Sequence, residues 1–175
     1  MSDASEILNN PDHTATHEAG HAVIARVLTL ACGSASVVRD NDEGHAGHSI
    51  TEDPFQCVRE WEKRGKVRFI DDAVWHARII ALMAGAEAEV VLLQSTEGAT
   101  VTTDTRSNQW QRNSKAGARA MTRMLVRRHR LLIERHAAAL LEQKTLRREE
   151  LDSLVGRSVD DVKVNAPFLL MMRPG

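Results

Sequence analysis

The pattern His-Glu-x-x-His at residues 17–21 constrains the fold of this chain more than any other feature of its sequence. On an α-helix, His17 and His21 project from the same face one turn apart, so both rings can bind a single zinc ion. Glu18 then points toward the same ion, where a carboxylate can take a proton from a zinc-activated water that attacks a peptide carbonyl. The alternative is that the two histidines lie on the surface of a helix without binding metal.

A helix start precedes this pattern. Asn10 supplies a capping side chain, Pro11 occupies the first helical position and Asp12 places a negative charge in the first turn. We predict a helix from here to a stop near Cys32-Gly33. Gly20 in the helix interior costs about 1 kcal/mol relative to alanine, which predicts that another segment packs closely against it.

The rest of the sequence predicts a predominantly helical α+β domain over residues 1–156 and a C-terminal tail of unassigned role at 157–175. Ser34–Thr51 carries the one clear β signal, two short strands joined by the charged turn Asp40–Gly44. Helical spacing of apolar residues recurs after these strands. The predicted helices cover residues 53–65, 71–93, 107–130, 131–143 and 145–155, with a polar loop at 94–105.

The composition fits one globular domain and argues against several classes of protein. Charged residues interrupt the longest apolar stretches, so we expect no membrane span. The first eleven residues lack the positive charge and apolar stretch of a secretory signal, which favours the cytoplasm. In that compartment Cys32 and Cys57 are expected to be reduced thiols of the core.

Charge is distributed unevenly along the chain. Residues 1–105 carry 8 basic and 17 acidic side chains and residues 106–175 carry 15 and 7, so we expect the two parts to attract each other. The arginines at positions 119–130 raise nucleic-acid binding as a hypothesis. Three Phe, three Trp and no Tyr leave few aromatic rings for base stacking. We therefore expect these arginines to form the solvated side of an amphipathic helix, and nucleic acid not to be a partner.

A catalytic zinc site needs a third protein ligand and an open fourth position. In the extended form of this motif, a Gly and then a His that binds the metal follow in the same segment. Here Ile24 and Val27 occupy those two positions, so the third ligand must come from farther along the chain. Spacing alone does not rank the candidates, which are His45, His48, Glu87, Glu89 and Asp104. The remaining histidines are expected on helix surfaces; they are His13, His76, His129 and His136.

Four segments of the chain resemble the protease domain of the FtsH family of ATP-dependent zinc metalloproteases. They are Thr16–Val23, Met83–Glu89, Thr96–Ala99 followed by Asp104, and Ala138–Leu146. Their order and spacing are more specific than the first segment alone, which many zinc proteases share. The resemblance spans residues 13–156.

This resemblance implies that His17, His21 and Asp104 bind zinc and that Glu18 is the general base of a zinc metalloendopeptidase. It also implies that Glu89 supports a ligand from behind rather than binding zinc itself. The loop before Asp104 is somewhat longer than in the family, and an Asp before a predicted helix has the alternative role of an N-cap.

In the family, the strand next to the zinc helix pairs with an extended peptide. Here Ser36–Val38 or Gly47–Ile50 would do so, through main-chain hydrogen bonds. His45 and His48 would then be substrate-side or structural residues, with additional zinc ligation as the alternative.

The chain departs from the family in lacking its ATPase module, because no Gly-x-x-x-x-Gly-Lys-Ser/Thr sequence is present for nucleotide phosphates. We therefore expect hydrolysis of peptides or unfolded segments, with a separate ATPase or unfoldase and a second copy of the chain as candidate partners. The alternative is a catalytically inactive zinc-binding scaffold that acts through a partner. The retained Glu18 argues against a scaffold, since a structural zinc site needs no general base.

Overall fold

The computed structural model describes residues 10–28, 30, 32–38, 47–51, 59, 63, 71–94 and 109–156. A mostly helical architecture with one small antiparallel sheet confirms the predicted α+β class. Within the described ranges the elements are α1 (Pro11–Val27), β1 (Cys32–Ser36), β2 (His48–Thr51), α2 (Asp71–Leu92), α3 (Gln109–Arg128), α4 (Arg130–Gln143), β3 (Thr145–Arg147) and α5 (Arg148–Val155). Of the predicted helix at 53–65, the structure describes only Arg59 and Lys63, which are helical. Cys57, most of the loop at 94–105 and the tail at 157–175 also lie outside the described residues.

Helix α1 begins as its sequence predicts and ends earlier. The Asn10 side chain accepts a hydrogen bond of 3.0 Å from the backbone N–H of Asp12, and Pro11 is the first helical residue. The prediction that the helix continues to Cys32 is wrong, because it ends at Val27. Cys32 is instead the first residue of β1, whose backbone groups bond to two neighbouring strands. Sheet pairing with distant segments therefore prevails over the local helical signal.

The three strands form a sheet in the order β2-β1-β3, with both pairs antiparallel. Strands β1 and β2 confirm the predicted strand pair, joined in register from Ser36 opposite His48 to Cys32 opposite Thr51, with a bulge near Gly33. Because Ser36 also pairs with Thr145 of β3, both edges of β1 are occupied. Ser36–Val38 is one of the two segments predicted to pair with a peptide. Its first residue, Ser36, has no free edge at which a peptide could pair.

Strand β3 is absent from the sequence prediction, which starts the last helix at Thr145. The segment Thr145–Arg147 is extended and α5 begins only at Arg148. The hydroxyls of Ser36 and Thr145 lie 2.8 Å apart, and fully buried Leu146 anchors the strand in the core. A strand of three residues is too short to show an alternating pattern, so its partner in β1 determines its conformation.

Among the described elements, helix α1 lies against α2, α4 and the sheet. Gly20 packs closely against α2, as its place in a helix interior predicts. A Cβ at this position would lie 2.7 Å from the carbonyl oxygen of Ala84 and 2.8 Å from the Cβ of Ala88. The small residues of both helices therefore bring their backbones together, and they fix the distance between the faces that carry the polar residues described below.

Two sets of ion pairs, each with a buried carboxylate, connect the early and late parts of the chain. Arg26 of α1 forms a buried ion pair with Asp152 of α5. Glu87 of α2 is also buried, and its carboxylate accepts from Arg119 Nε at 2.7 Å and from Arg123 Nε at 2.5 Å. The second set is the kind of attraction that the uneven charge distribution predicts. No helix among the described residues combines the length and the apolar composition that a membrane span requires.

Candidate metal centre

His17 and His21 lie one turn apart on the face of α1 that meets α2. Their ring centroids are 4.7 Å apart, with the ring planes inclined at 74°. The Nε2 atom of His17 lies 3.0 Å from the Nε2 atom of His21. The structure therefore brings the two predicted zinc ligands together through the nitrogens that are farthest from the helix backbone.

The opposite nitrogen of each ring is held by α2. Nδ1 of His21 lies 2.7 Å from the carbonyl oxygen of Ala81, and because a carbonyl can only accept, this nitrogen carries the proton. Nδ1 of His17 lies 2.5 Å from Oε1 of Glu89 and likewise donates to the carboxylate. In the neutral tautomer that these bonds select, both Nε2 atoms present lone pairs.

Two lone pairs that face each other at this distance require a proton or a metal cation between them. Burial, with a smaller contribution from the positive charge on His17, lowers the pKa of His21 to about 4, so its Nε2 stays free to act as a ligand. Burial also opposes protonation of His17, but the hydrogen bond to Glu89 and the nearby charge of Glu18 outweigh it and raise the pKa of His17. A proton on His17 is the alternative to a metal ion at this position.

The separation of the two nitrogens suits a zinc ion. Two nitrogens bound to zinc at about 2.0–2.1 Å with a tetrahedral angle are about 3.3 Å apart, close to the observed distance between the Nε2 atoms. The second nitrogen of each ring donates to an oxygen, as metal-binding histidines usually do. The residues present therefore fit a zinc ion.

Gly85 of α2 packs directly against the two histidine rings. A Cβ at this position would lie 2.5 Å from Nε2 of His21 and 2.7 Å from Nε2 of His17. Any other residue would thus collide with both Nε2 atoms. Gly85 belongs to the Met83–Glu89 segment, and its contact with the histidines gives a physical reason for a glycine there.

Glu18 is buried on the same helix, with 7% of its surface exposed. Burial raises its pKa to about 7, partly opposed by the positive charge of His17 and assisted by the negative charge of Glu89. The residue before β2 approaches it closely, because a Cβ at Gly47 would lie 3.2 Å from Cγ of Glu18. A carboxyl group that titrates near neutral pH is suited to accept and return a proton.

Glu89 lies behind His17, on the side of the ring away from Nε2. Its Oε1 accepts from His17 and its Oε2 lies 3.2 Å from Nδ1 of His13. Burial would raise the pKa of Glu89, but the hydrogen bonds from His17 and His13 outweigh it and lower the pKa, so the carboxylate is ionised. Both oxygens of Glu89 are thus engaged by histidines, on the side of the His17 ring away from Nε2.

The other candidates for the third ligand are separated by the structure. Glu87 faces α3 and binds two arginines, so it is not available to the histidine pair. His48 is exposed on β2, opposite Ser36. Asp104 and His45 lie outside the described residues. Among the side chains that the structure does describe, no group of three His, Cys, Asp or Glu converges in a way that could hold a metal ion.

Two of the histidines expected on helix surfaces lie elsewhere. His136 is fully buried, with Nδ1 2.8 Å from the carbonyl oxygen of Leu132 and Nε2 3.4 Å from that of Leu151, so the surface prediction is wrong for it. His13 is only 19% exposed and contacts Glu89. The spacing of His13, four residues before His17, is the sequence signal that would have placed it on the metal-site face. His76 is exposed, as predicted, and His129 is half-buried.

Comparison of the chain with profiles of protein families yields no match, and comparison with curated proteins yields none. The chemistry of the histidine pair and its neighbours therefore carries the functional argument.

Proposed function

We propose that this chain is a zinc-dependent metallopeptidase, similar to the protease domain of the FtsH family, that hydrolyses peptide bonds in peptides or unfolded segments. The observation that carries the proposal is the pair of Nε2 atoms of His17 and His21, 3.0 Å apart. Each ring is held in the ligand tautomer by a hydrogen bond from its Nδ1. Two histidine nitrogens at this spacing are the donors that a His-Glu-x-x-His helix contributes to a zinc site.

His17 and His21 would hold the zinc ion, with Asp104 as the third ligand that the family resemblance suggests. When bound, zinc supplies a Lewis acid for the substrate carbonyl and lowers the pKa of a coordinated water to about 7. Glu89 keeps the His17 ring oriented and makes it a stronger donor, since a carboxylate behind a histidine increases the basicity of the opposite nitrogen.

Glu18 would take the proton from the attacking water and return it to the leaving amine. Its pKa of about 7 without metal already allows both roles near neutral pH. A cation held by the adjacent histidines favours the ionised carboxylate, so metal binding shifts Glu18 further toward the base form. The burial that raises its pKa also keeps bulk water from competing for the proton.

Strand β2 is the candidate site for an extended substrate. Among the described strands, β1 is paired on both edges, whereas β2 pairs only with β1. Gly47, immediately before β2, packs against Glu18 and Thr14 of the zinc helix. A peptide added alongside β2 would therefore pass close to the proposed base, and main-chain hydrogen bonds would accept many sequences.

The cytoplasm is the proposed location, and the buried, free Cys32 thiol agrees with a reducing compartment. A separate ATPase or unfoldase, and a second copy of this chain, are proposed partners to test. Because a short peptide needs no unfolding, its cleavage is a simple assay for the chain alone.

The first experiment is the metal content of chelator-free protein, measured by mass spectrometry after zinc is offered and excess metal removed. About one zinc ion per chain is expected, with loss in His21→Ala and Asp104→Ala and retention in Glu18→Gln. A quenched-fluorescence peptide library then tests hydrolysis, with Glu18→Gln as the inactive control.

Each outcome points to a different conclusion. Zinc without cleavage of any peptide would favour the inactive scaffold. Zinc lost in His21→Ala but kept in Asp104→Ala would assign the third ligand to another residue. Protein that takes up no zinc would overturn the proposed function.

A further inference from the structure

A third histidine lies on the same face of α1 as the two proposed ligands. His13, His17 and His21 follow one another at intervals of four residues, so their side chains form a row along the helix. His13 and His17 both contact the carboxylate of Glu89 on α2. Oε1 of Glu89 lies 2.5 Å from Nδ1 of His17, and Oε2 lies 3.2 Å from Nδ1 of His13. One carboxylate thus joins His13 to the proposed metal ligand.

The chemistry of the contact determines its direction. An ionised carboxylate only accepts hydrogen bonds, so both histidines donate from Nδ1. The Glu89 side chain is only 8% exposed, and a buried carboxylate oxygen without a donor is costly. His13 supplies the donor for Oε2, which fixes the rotation of the carboxylate and directs Oε1 at His17.

We propose that His13 is a positioning residue of the metal centre: it holds the Glu89 carboxylate against His17 and so increases the zinc affinity of the His17–His21 pair. The inference rests on the proposed function, because it presumes that this pair binds zinc. His13 is not a ligand, since Glu89 lies between it and the His17 ring. Its effect on the metal ion therefore passes through Glu89.

Removal of the donor is expected to weaken zinc binding, and its restoration to recover it. His13→Ala should bind zinc about 10-fold more weakly, at the lower end of the range for residues that orient a metal ligand. His13→Asn places an amide N–H close to the position of Nδ1 and should stay within about 3-fold of the wild type. His13→Leu fills a similar space without a donor and should behave like His13→Ala.

The test is a zinc titration of the full chain against a competing fluorescent chelator, with folding of each metal-free variant checked by circular dichroism. His76→Ala, which removes an exposed histidine from α2, is the matched control and should leave the affinity unchanged. The decisive comparison repeats His13→Ala in a Glu89→Ala background. If His13 acts through Glu89, its removal there should change the affinity by less than about 2-fold, because the coupling partner is gone.

The outcomes distinguish a failure of the role of His13 from a failure of the proposed zinc-dependent function. A wild-type chain that binds no zinc would overturn both. A wild-type chain that binds zinc, together with a His13→Ala variant of equal affinity, would overturn the role of His13 alone. The same holds if the alanine effect persists in the Glu89→Ala background, or if His13→Asn binds as weakly as His13→Leu. Should His13→Ala not fold, the comparison of the asparagine and leucine variants decides.

Discussion

Gly85 stands directly against His21, so closely that a Cβ on Gly85 would lie 2.5 Å from Nε2 of the histidine. The atoms in the way belong to the ends of the His17 and His21 side chains, which can rotate away, and not to backbone. We therefore expect Gly85→Ala to fold, because alanine is the better helix former, and to lose at least about 10-fold in zinc affinity, because the rings are displaced.

Gly117→Ala is the matched control for this substitution. Gly117 lies on α3 with open space around the position of a Cβ. The variant should keep its zinc affinity and gain about 0.5–1 kcal/mol in the free energy of unfolding. Chelator competition and urea unfolding measure the two quantities. Equal zinc affinity in Gly85→Ala and Gly117→Ala would refute the steric argument.

Gly20→Ala should lower the stability of the fold, whereas Gly85→Ala should lower the zinc affinity. The atoms that a Cβ on Gly20 would meet belong to the α2 backbone and to the Cβ of Ala88, neither of which can rotate away. We expect a loss of about 1–3 kcal/mol in the free energy of unfolding, since α1 and α2 must separate to admit the methyl group. Urea unfolding of the metal-free protein measures this loss, and a midpoint equal to that of the wild type would show that the helices are packed less tightly.

Glu87 and Glu89 offer a paired test, because both are buried on α2 and they face different helices. Glu87→Ala should lower the free energy of unfolding by about 1–2 kcal/mol through the lost bonds to Arg119 and Arg123, whose half-exposed guanidinium groups can be rehydrated. Its zinc affinity should not change. Glu89→Ala should weaken zinc binding about 10–100-fold. Zinc titrations in which the two variants lose affinity equally would contradict this division of roles.

His136 makes folding stability depend on pH. Burial lowers its pKa below the usual 6.5, partly offset by its contacts with the carbonyls of Leu132 and Leu151. The unfolded chain therefore binds a proton more readily than the folded one, so the stabilisation is complete above pH 6.5 and is lost as the pH falls below that value toward the pKa of the folded state.

The metal-free His136→Gln variant should show a smaller loss of stability than the wild type between pH 7.5 and pH 5, by about the linkage of one titrating group. The comparison must be a difference between the two proteins, because His21 contributes in the same direction and His17 in the opposite one. Urea midpoints across the pH range supply it. An identical pH dependence in both proteins would show that His136 does not carry this linkage.

Local signals in the sequence predict the start of helix α1 and the placement of its paired histidines. The cap at Asn10, the proline after it and the four-residue spacing of His17 and His21 depend only on neighbouring residues, and the structure places all of them on one helix. The strand pair β1–β2 is likewise predicted from local composition. These features need no knowledge of the rest of the chain.

Features that depend on distant segments could not be read from local patterns. The early end of α1 follows from the pairing of β1 with β2 and β3, and the extended conformation of β3 follows from its pairing with β1. The burial of His136 follows from α5 closing over α4, and the pairing of Glu87 with two arginines from the approach of α3. His13 is an intermediate case, because its spacing places it on the right face but only Glu89 of α2 gives it a partner.

The helix that carries His17 and His21 is tied to the far end of the described chain by the buried ion pair between Arg26 and Asp152. A chain shortened to end before Asp152 would remove the carboxylate that faces this buried guanidinium, a change that typically costs about 3–5 kcal/mol. Although α1 and α2 together contain the paired histidines and Glu89, we therefore do not expect them to fold without α5. A fragment intended for zinc-binding experiments should extend through α5.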